Sequence, residues 1–131
     1  MRKERLFSLA DQMKKNGINF ILIQIDEAHS TAWPKGVPNT PEPQKDFNDR
    51  IERANKFVKD ENPPFEVLVD SWENEFANKY KAWPDQYYCV NSKMRIIEKC
   101  RFGLKGDAII NKDCCDLIEE MIEHIALADS R

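Results

Sequence analysis

The sequence predicts an α/β fold in which a central mixed sheet is flanked by helices. Two apolar, β-branched runs, Phe20–Ile25 and Phe65–Val69, each follow a stretch of helical periodicity, the alternation from which parallel sheets are built. Two more β-type runs, Tyr87–Val90 and Arg95–Lys99, flank Asn91-Ser92-Lys93-Met94 and read as an antiparallel hairpin. A last amphipathic stretch returns as a helix. At 131 residues the chain holds one core rather than two, so residues 1–131 are read as one domain.

The elements follow in order. From Arg2 to Lys15, Leu6, Phe7, Leu9, Ala10 and Met13 fall at helical spacing, which predicts one amphipathic helix. Asn16-Gly17 ends it, because glycine accepts the left-handed conformation of a helix exit. The strand Phe20–Ile25, short and strongly apolar, is expected to be covered on both faces. Thr31 to Pro43 holds four of the seven prolines and reads as a long irregular loop of the kind that often binds ligands. Gln44 to Lys59 is a helix with Phe47, Ile51, Ala54 and Val58 on its stripe, broken by Asn62-Pro63-Pro64. The second strand ends on Asp70, and Ser71 is placed to cap a helix from Trp72 to Tyr80. There Trp72, Phe76 and Tyr80 recur every fourth residue as expected core. In the closing helix, capped by Asn111 or Asp113, the buried face is Leu117, Ile118, Met121, Ile122 and Ile125, with His124 beside it.

Composition narrows the function. Charged residues make up 33 % and hydrophobic ones 41 %, with a net charge of −3. Basic residues are mixed with acids throughout, so nucleic acid is not an expected partner. No run approaches the roughly 18 apolar residues of a membrane span, and no signal peptide precedes the first helix. Cys89, Cys100, Cys114 and Cys115 show neither C-x-x-C nor zinc-site spacing. A bridge between the adjacent pair would be strained. The cysteines therefore read as thiols in an intracellular, reducing compartment, and no metal site is expected. No G-x-G-x-x-G or Walker sequence is present.

Candidate chemistry lies where the first strand ends. Ile25-Asp26-Glu27-Ala28-His29 puts a carboxylate and one of two histidines at the sheet edge, where open α/β proteins keep their sites. Glu27 and His29, two residues apart, share a face in extended chain. The order helix-strand-helix-strand-helix-strand-strand-helix becomes a thioredoxin-like fold, with a helix-containing insertion, once a first strand is added in front.

The same residues resemble a known family. Ile25-Asp26-Glu27-Ala28-His29 looks like the I-E-E-A-H segment of iodothyronine deiodinases, thioredoxin-fold selenoenzymes that reductively remove iodine from thyroid hormones. Asn48-Asp49-Arg50-Ile51-Glu52-Arg53-Ala54 resembles their Q-D-R-L-Q-A-A helix, and Val67-Leu68-Val69-Asp70-Ser71-Trp72-Glu73-Asn74 resembles V-V-V-D-T-M-x-N. Tyr80-Lys81-Ala82-Trp83-Pro84-Asp85-Gln86-Tyr87-Tyr88-Cys89-Val90 resembles Y-x-A-L-P-E-R-L-Y-V-I. The four segments stand in order, at matching spacing, over almost the whole chain.

The resemblance implies a selenolate that attacks iodine on a phenolic ring, a proton delivered to the ring carbon, and a thiol reductant as co-substrate, with no bound cofactor. It gives His29 and Glu27 the catalytic acid roles. The family's second histidine falls on Gln44, which can donate a hydrogen bond but cannot shuttle protons. Arg101 stands where an arginine of some members clamps the hormone's amino-acid end, by the bidentate geometry suited to carboxylates. Cys100 and Phe102 replace the glycines common around it. Trp33 is a candidate aromatic wall for an iodinated ring, and Pro84 a candidate for the cis-proline that faces the nucleophile in this fold. The family's U-P-x-F-M sequence precedes the first helix, and gapless counting back from Glu27 sets Met1 on its methionine. The resemblance thus implies a selenocysteine just ahead of Met1, encoded by an in-frame UGA, and the first strand missing from this chain. Such a chain is expected to be inactive by itself, to expose unpaired strand edges, and to be poorly stable or to form a homodimer. A membrane anchor belongs to the expectation for a full-length form only. Two further readings stay open: a thiol or selenol oxidoreductase acting on peroxides or disulfides, and a non-catalytic module that binds a hydrophobic phenol.

Overall fold

The computed structural model describes residues 3–27, 30–32, 39–83, 86–99, 101–102, 108–110 and 114–129, with backbone alone at 99, 101–102, 108–110 and 128–129. Helices and short strands alternate, as an α/β chain requires. In order they are α1 (Lys3–Ser8), α2 (Ala10–Lys15), β1 (Ile21–Gln24), α3 (Phe47–Glu61), β2 (Glu66–Val69) and α4 (Glu75–Tyr80). They continue with β3 (Tyr88–Val90), β4 (Ile96–Lys99), β5 (Arg101–Phe102), β6 (Ala108–Ile110) and α5 (Cys114–Asp129). The chain forms two compact units, one spanning Ile21–Gln86 and the other joining Met1–Phe20 to Tyr87–Arg131.

The Ile21–Gln86 unit is a parallel strand pair with its crossover helix. β1 and β2 run in register from Ile21 against Glu66 to Gln24 against Val69, and α3 supplies the long connection that parallel pairing needs. α3, Phe47–Glu61, starts after the predicted Gln44, which lies outside the helix, and runs past the predicted Lys59. The Asp46 carboxylate accepts from the Asp49 amide at 2.8 Å, while Asp49 accepts from the Lys45 amide at 2.9 Å, a reciprocal cap. Asn62 ends the helix in the left-handed region, φ 45°.

The buried side of α3 differs from the expected stripe. Arg50 and Ala54 are buried, whereas Phe47 and Val58 are each 42 % exposed. Arg50 turns inward because its guanidinium finds acceptors beyond the helix, so a residue that patterning assigns to solvent takes the centre of the contact face. β1 is not covered on both faces either. Among the described residues it pairs with β2 alone, and Ile21 and Leu68 are about two-fifths exposed.

α4 begins later than predicted and does not carry an aromatic core. Ser71–Asn74 form a turn closed by Asn74 N–H donating to the Ser71 carbonyl at 2.9 Å, and Asn74 is left-handed at φ 60°. Trp72 therefore lies outside the helix, and it and Tyr80 are exposed by more than a third. Phe76 and Tyr80 do stack, with ring centroids 4.8 Å apart. The buried residues here are Ala77 and Ala82.

In the other unit the first helix is divided at Leu9. Its amide bonds to the Leu6 carbonyl at 3.1 Å, a tighter turn, and its own carbonyl accepts from Met13 at 2.9 Å. Leu6, Leu9 and Met13 stay on one buried face. Gly17, at φ 70°, closes α2 as expected, with Ile18 N–H reaching the Met13 carbonyl at 2.8 Å. Arg5 ties α1 to α5 through Asp116 at 2.6 Å and Glu119 at 3.0 Å. On α5, Cys115, Leu117 and Ile118 are buried, Met121, Ile122 and Ile125 half-buried, and His124 exposed. The candidate caps Asn111 and Asp113 lie outside the described residues.

The predicted hairpin forms between β3 and β4, with Tyr88 opposite Lys99, Cys89 opposite Glu98 and a bulge after Cys89. Its turn is held by the Asn91 side chain, whose oxygen accepts from the Lys93 and Arg95 amides at 3.0 Å each. The antiparallel β5–β6 pair, Arg101 against Ile110 and Phe102 against Ala108, stands where the sequence reading has only a connection. No helix among the described residues is long and apolar enough to cross a membrane.

Candidate functional site

The C-terminal ends of β1 and β2 deliver a polar cluster of the Ile21–Gln86 unit. Parallel strands point their ends the same way, so the segments after Gln24 and after Val69 emerge side by side. They are joined by Asp70 N–H donating to the Gln24 carbonyl at 2.9 Å. Onto this edge α3 projects Arg50 and Arg53, one turn apart on neighbouring faces.

Arg50 is 1 % exposed and binds three parts of the chain. Its Nε donates to Gln44 Oε1 at 2.8 Å, and Nη1 donates to the Ser71 carbonyl at 2.6 Å, with a longer contact of 3.5 Å to the Asp70 carbonyl. The guanidinium also lies 5.0 Å from the centre of the Trp72 ring, within cation–π range. These acceptors are all neutral. A buried charge is tolerated when its donors are met by well-placed acceptors, and here three backbone or amide oxygens and an aromatic face supply them.

Asp70, 5 % exposed, spends its carboxylate on backbone instead. Oδ1 accepts from Ser71 and Phe76 amides at 2.8 and 2.9 Å, and Oδ2 accepts from Ala77 at 3.0 Å. It thus caps the first turn of α4, where unpaired N–H groups favour an anion. Ser71 Oγ accepts from the Glu75 amide at 3.1 Å, so it supports the start of α4, although the N-cap position belongs to Asn74 and not to Ser71 as predicted.

Glu27 pairs with Arg53, Oε2 to Nη1 at 2.6 Å, both side chains about a quarter exposed. Arg53 Nη2 donates to the Glu42 carbonyl. The Glu42 carboxylate in turn accepts from Thr31 Oγ1 at 3.1 Å, and Thr31 N–H donates to the Pro41 carbonyl at 2.9 Å. The segment leaving β1 and the segment entering α3 are therefore fastened together, with Arg53 as the common tie.

Of the residues singled out in the sequence, Glu27 stands at this edge with its carboxylate on Arg53. Gln44 is buried, 8 % exposed, between Arg50 and the Ile25 carbonyl, to which Nε2 donates at 3.4 Å. His29, Trp33 and Pro84 lie outside the described residues. Arg101 is placed by its backbone in β5. The residues the sequence reading passed over are Arg50 and Arg53. The only signal for them was the Asn48–Ala54 segment itself, since arginines at helical spacing read as solvated.

In the other unit Cys89 is buried, with its Sγ 3.3 Å from Met121 Sδ. Burial, and then the nearby Glu98 charge, push its thiol pKa up, so it is a structural thiol and not an activated nucleophile. Cys89, Cys114 and Cys115 form no disulfide. Among the described residues, no three His, Cys, Asp or Glu side chains are grouped to hold a metal ion. No family model and no curated protein matches this chain.

Proposed function

We propose that this chain is the thioredoxin-like domain of an iodothyronine deiodinase-like oxidoreductase. It acts on iodinated phenols with a selenocysteine encoded ahead of Met1 and a thiol as reductant. The observation that carries the reading is the convergence of three resembling segments. Arg53 of Asn48–Ala54 holds Glu27, Arg50 of the same helix holds the Ser71 carbonyl of Val67–Asn74, and Gln44 joins Arg50 to Ile25. The strand ends that carry I-D-E-A-H and V-D-S-W are thereby set side by side. The α/β alternation and the parallel β1–β2 pair are compatible with that fold.

In this reading the selenolate takes iodine from the ring as a selenenyl iodide, and the ring carbon takes a proton. Two thiols then return the selenolate, releasing iodide and a disulfide. His29 donates the proton directly. Glu27, held by Arg53, is the partner assigned to tune that histidine. By the resemblance, substrate recognition is assigned to Arg101, Trp33 and Pro84.

The test is iodide release from an iodinated phenol with dithiothreitol, measured on the protein extended through the upstream codon. The extended protein should turn over, residues 1–131 should not, and His29→Ala should lower turnover by roughly 10²-fold or more. Absence of a TGA or cysteine codon, followed by a proline codon, ahead of the start removes the reading. One observation favours the runner-up, an oxidoreductase acting on peroxides or disulfides. Gln44, at the position of the family's second histidine, is buried and held as a fixed bridge. Peroxide consumption without iodide release by the extended protein would select it.

A further inference from the structure

We infer that Gln44 is a positioning residue. Held by the buried Arg50, it fixes the backbone that leaves β1, and through it the placement of Glu27. This role rests on reading Glu27 as part of the site.

The argument begins with what an amide can do. Gln44 has one acceptor oxygen and one donor nitrogen, and arginine only donates. The 2.8 Å contact with Arg50 Nε therefore fixes Oε1 toward the guanidinium and turns Nε2 to the Ile25 carbonyl at 3.4 Å. That carbonyl also accepts from Gln24 Nε2 at 3.0 Å, so both its lone pairs are occupied and the strand exit is held from two sides. Arg50 is itself immobilised by the Ser71 carbonyl and the Trp72 face. Two residues beyond Ile25 stands Glu27, whose carboxylate must meet Arg53, one turn along the same helix as Arg50. α3 thus grips the exit of β1 at two points, Ile25 through Gln44 and Glu27 through Arg53. The first grip sets the reach of the second.

The requirement at position 44 is one acceptor and one donor on a single side chain. A neutral histidine meets it, since one ring nitrogen accepts and the other donates. The histidine that the resemblance puts here and the glutamine in this chain are then equivalent as bridges, although only one can titrate. Glutamate keeps the acceptor and loses the donor, and leucine loses both.

This pattern separates positioning from stability. The experiment is a double-mutant cycle between Glu27→Gln and Arg53→Met, read by urea denaturation of the 131-residue chain, in four backgrounds: parent, Gln44→His, Gln44→Glu and Gln44→Leu. Gln44→Leu should lower the unfolding midpoint, by roughly 10-fold or more in the unfolding constant. Gln44→Glu should keep the midpoint, because its carboxylate still receives Arg50. The Glu27–Arg53 coupling should persist with glutamine or histidine at 44 and be lost with glutamate. Equal coupling in the parent, histidine and glutamate backgrounds overturns the inference, as does no coupling in the parent, and neither result depends on Gln44→Leu folding. Because the readout is free of turnover, its failure is distinct from a failure to release iodide.

Discussion

Replacing Arg50 by methionine tests whether the buried guanidinium holds the Ile21–Gln86 unit together. Methionine keeps much of the stem's length and apolar volume, so packing changes little. What is lost is the set of donors. Gln44 Oε1 and the Ser71 carbonyl, at 2.8 and 2.6 Å, become unsatisfied in a site where Arg50 leaves only 1 % of itself exposed. Each stranded acceptor costs about 1–3 kcal/mol. The contact over Trp72 at 5.0 Å contributes about 0.5–2 kcal/mol more. Against this, methionine carries no charge into the interior and recovers part of the several kcal/mol of desolvation. The net expectation is destabilisation by about 2–4 kcal/mol, a factor of roughly 30 to 1,000 in the unfolding constant. That is a large share of the 5–15 kcal/mol typical of a domain. Urea denaturation followed by tryptophan fluorescence measures it, with the slope unchanged. Arg50→Lys should fail to rescue, because a single ammonium cannot span two acceptors set by a planar fork. A methionine variant within about 0.5 kcal/mol of the parent, or a lysine variant equal to it, would refute the reasoning.

Four further predictions concern other groups. Asp70→Asn keeps one oxygen for three amide donors and turns an NH₂ toward the start of α4; it should cost about 1–2 kcal/mol, seen as a lower denaturation midpoint with helix content reduced. Glu27→Gln should cost only about 0.5–1 kcal/mol, because the Arg53 pair is a quarter exposed, and the loss should shrink in high salt; a salt-independent loss would mean the pair is not electrostatic. Burial raises the Cys89 and Tyr88 pKa values, so the folded state retains those protons longer than the unfolded one. For Cys89 that stability is intact below the ordinary thiol range and falls as pH rises through and above it, which denaturation midpoints between pH 7 and 10 would register; for Tyr88 the fall comes only above the ordinary phenol range. At pH 7 an alkylating reagent should label half-exposed Cys114 well before buried Cys89.

Local chemistry determined much by itself. The Gly17 exit, the Asn62 end of α3, the Asn91 turn and the hairpin it joins were all readable, because each depends on residues within a few positions of one another; the start of α3 was not, since Gln44 reads as helix but lies ahead of the Asp46 cap. The α/β alternation followed from apolar periods, and the strand end carrying Glu27 followed from where the first apolar run stops. Only the tertiary structure decided which face of α3 is buried. Phe47 and Val58 lost that place to Arg50, since acceptors at Gln44 and Ser71, distant in sequence, made an inward charge tolerable. It likewise moved Trp72 out of the helix, as Asp70 claimed the amides that set the helix start. It assigned Glu27 to Arg53 and Gln44 to Arg50 and Ile25. Such pairings depend on two strand ends and one helix meeting in space, and no spacing along a chain encodes that meeting.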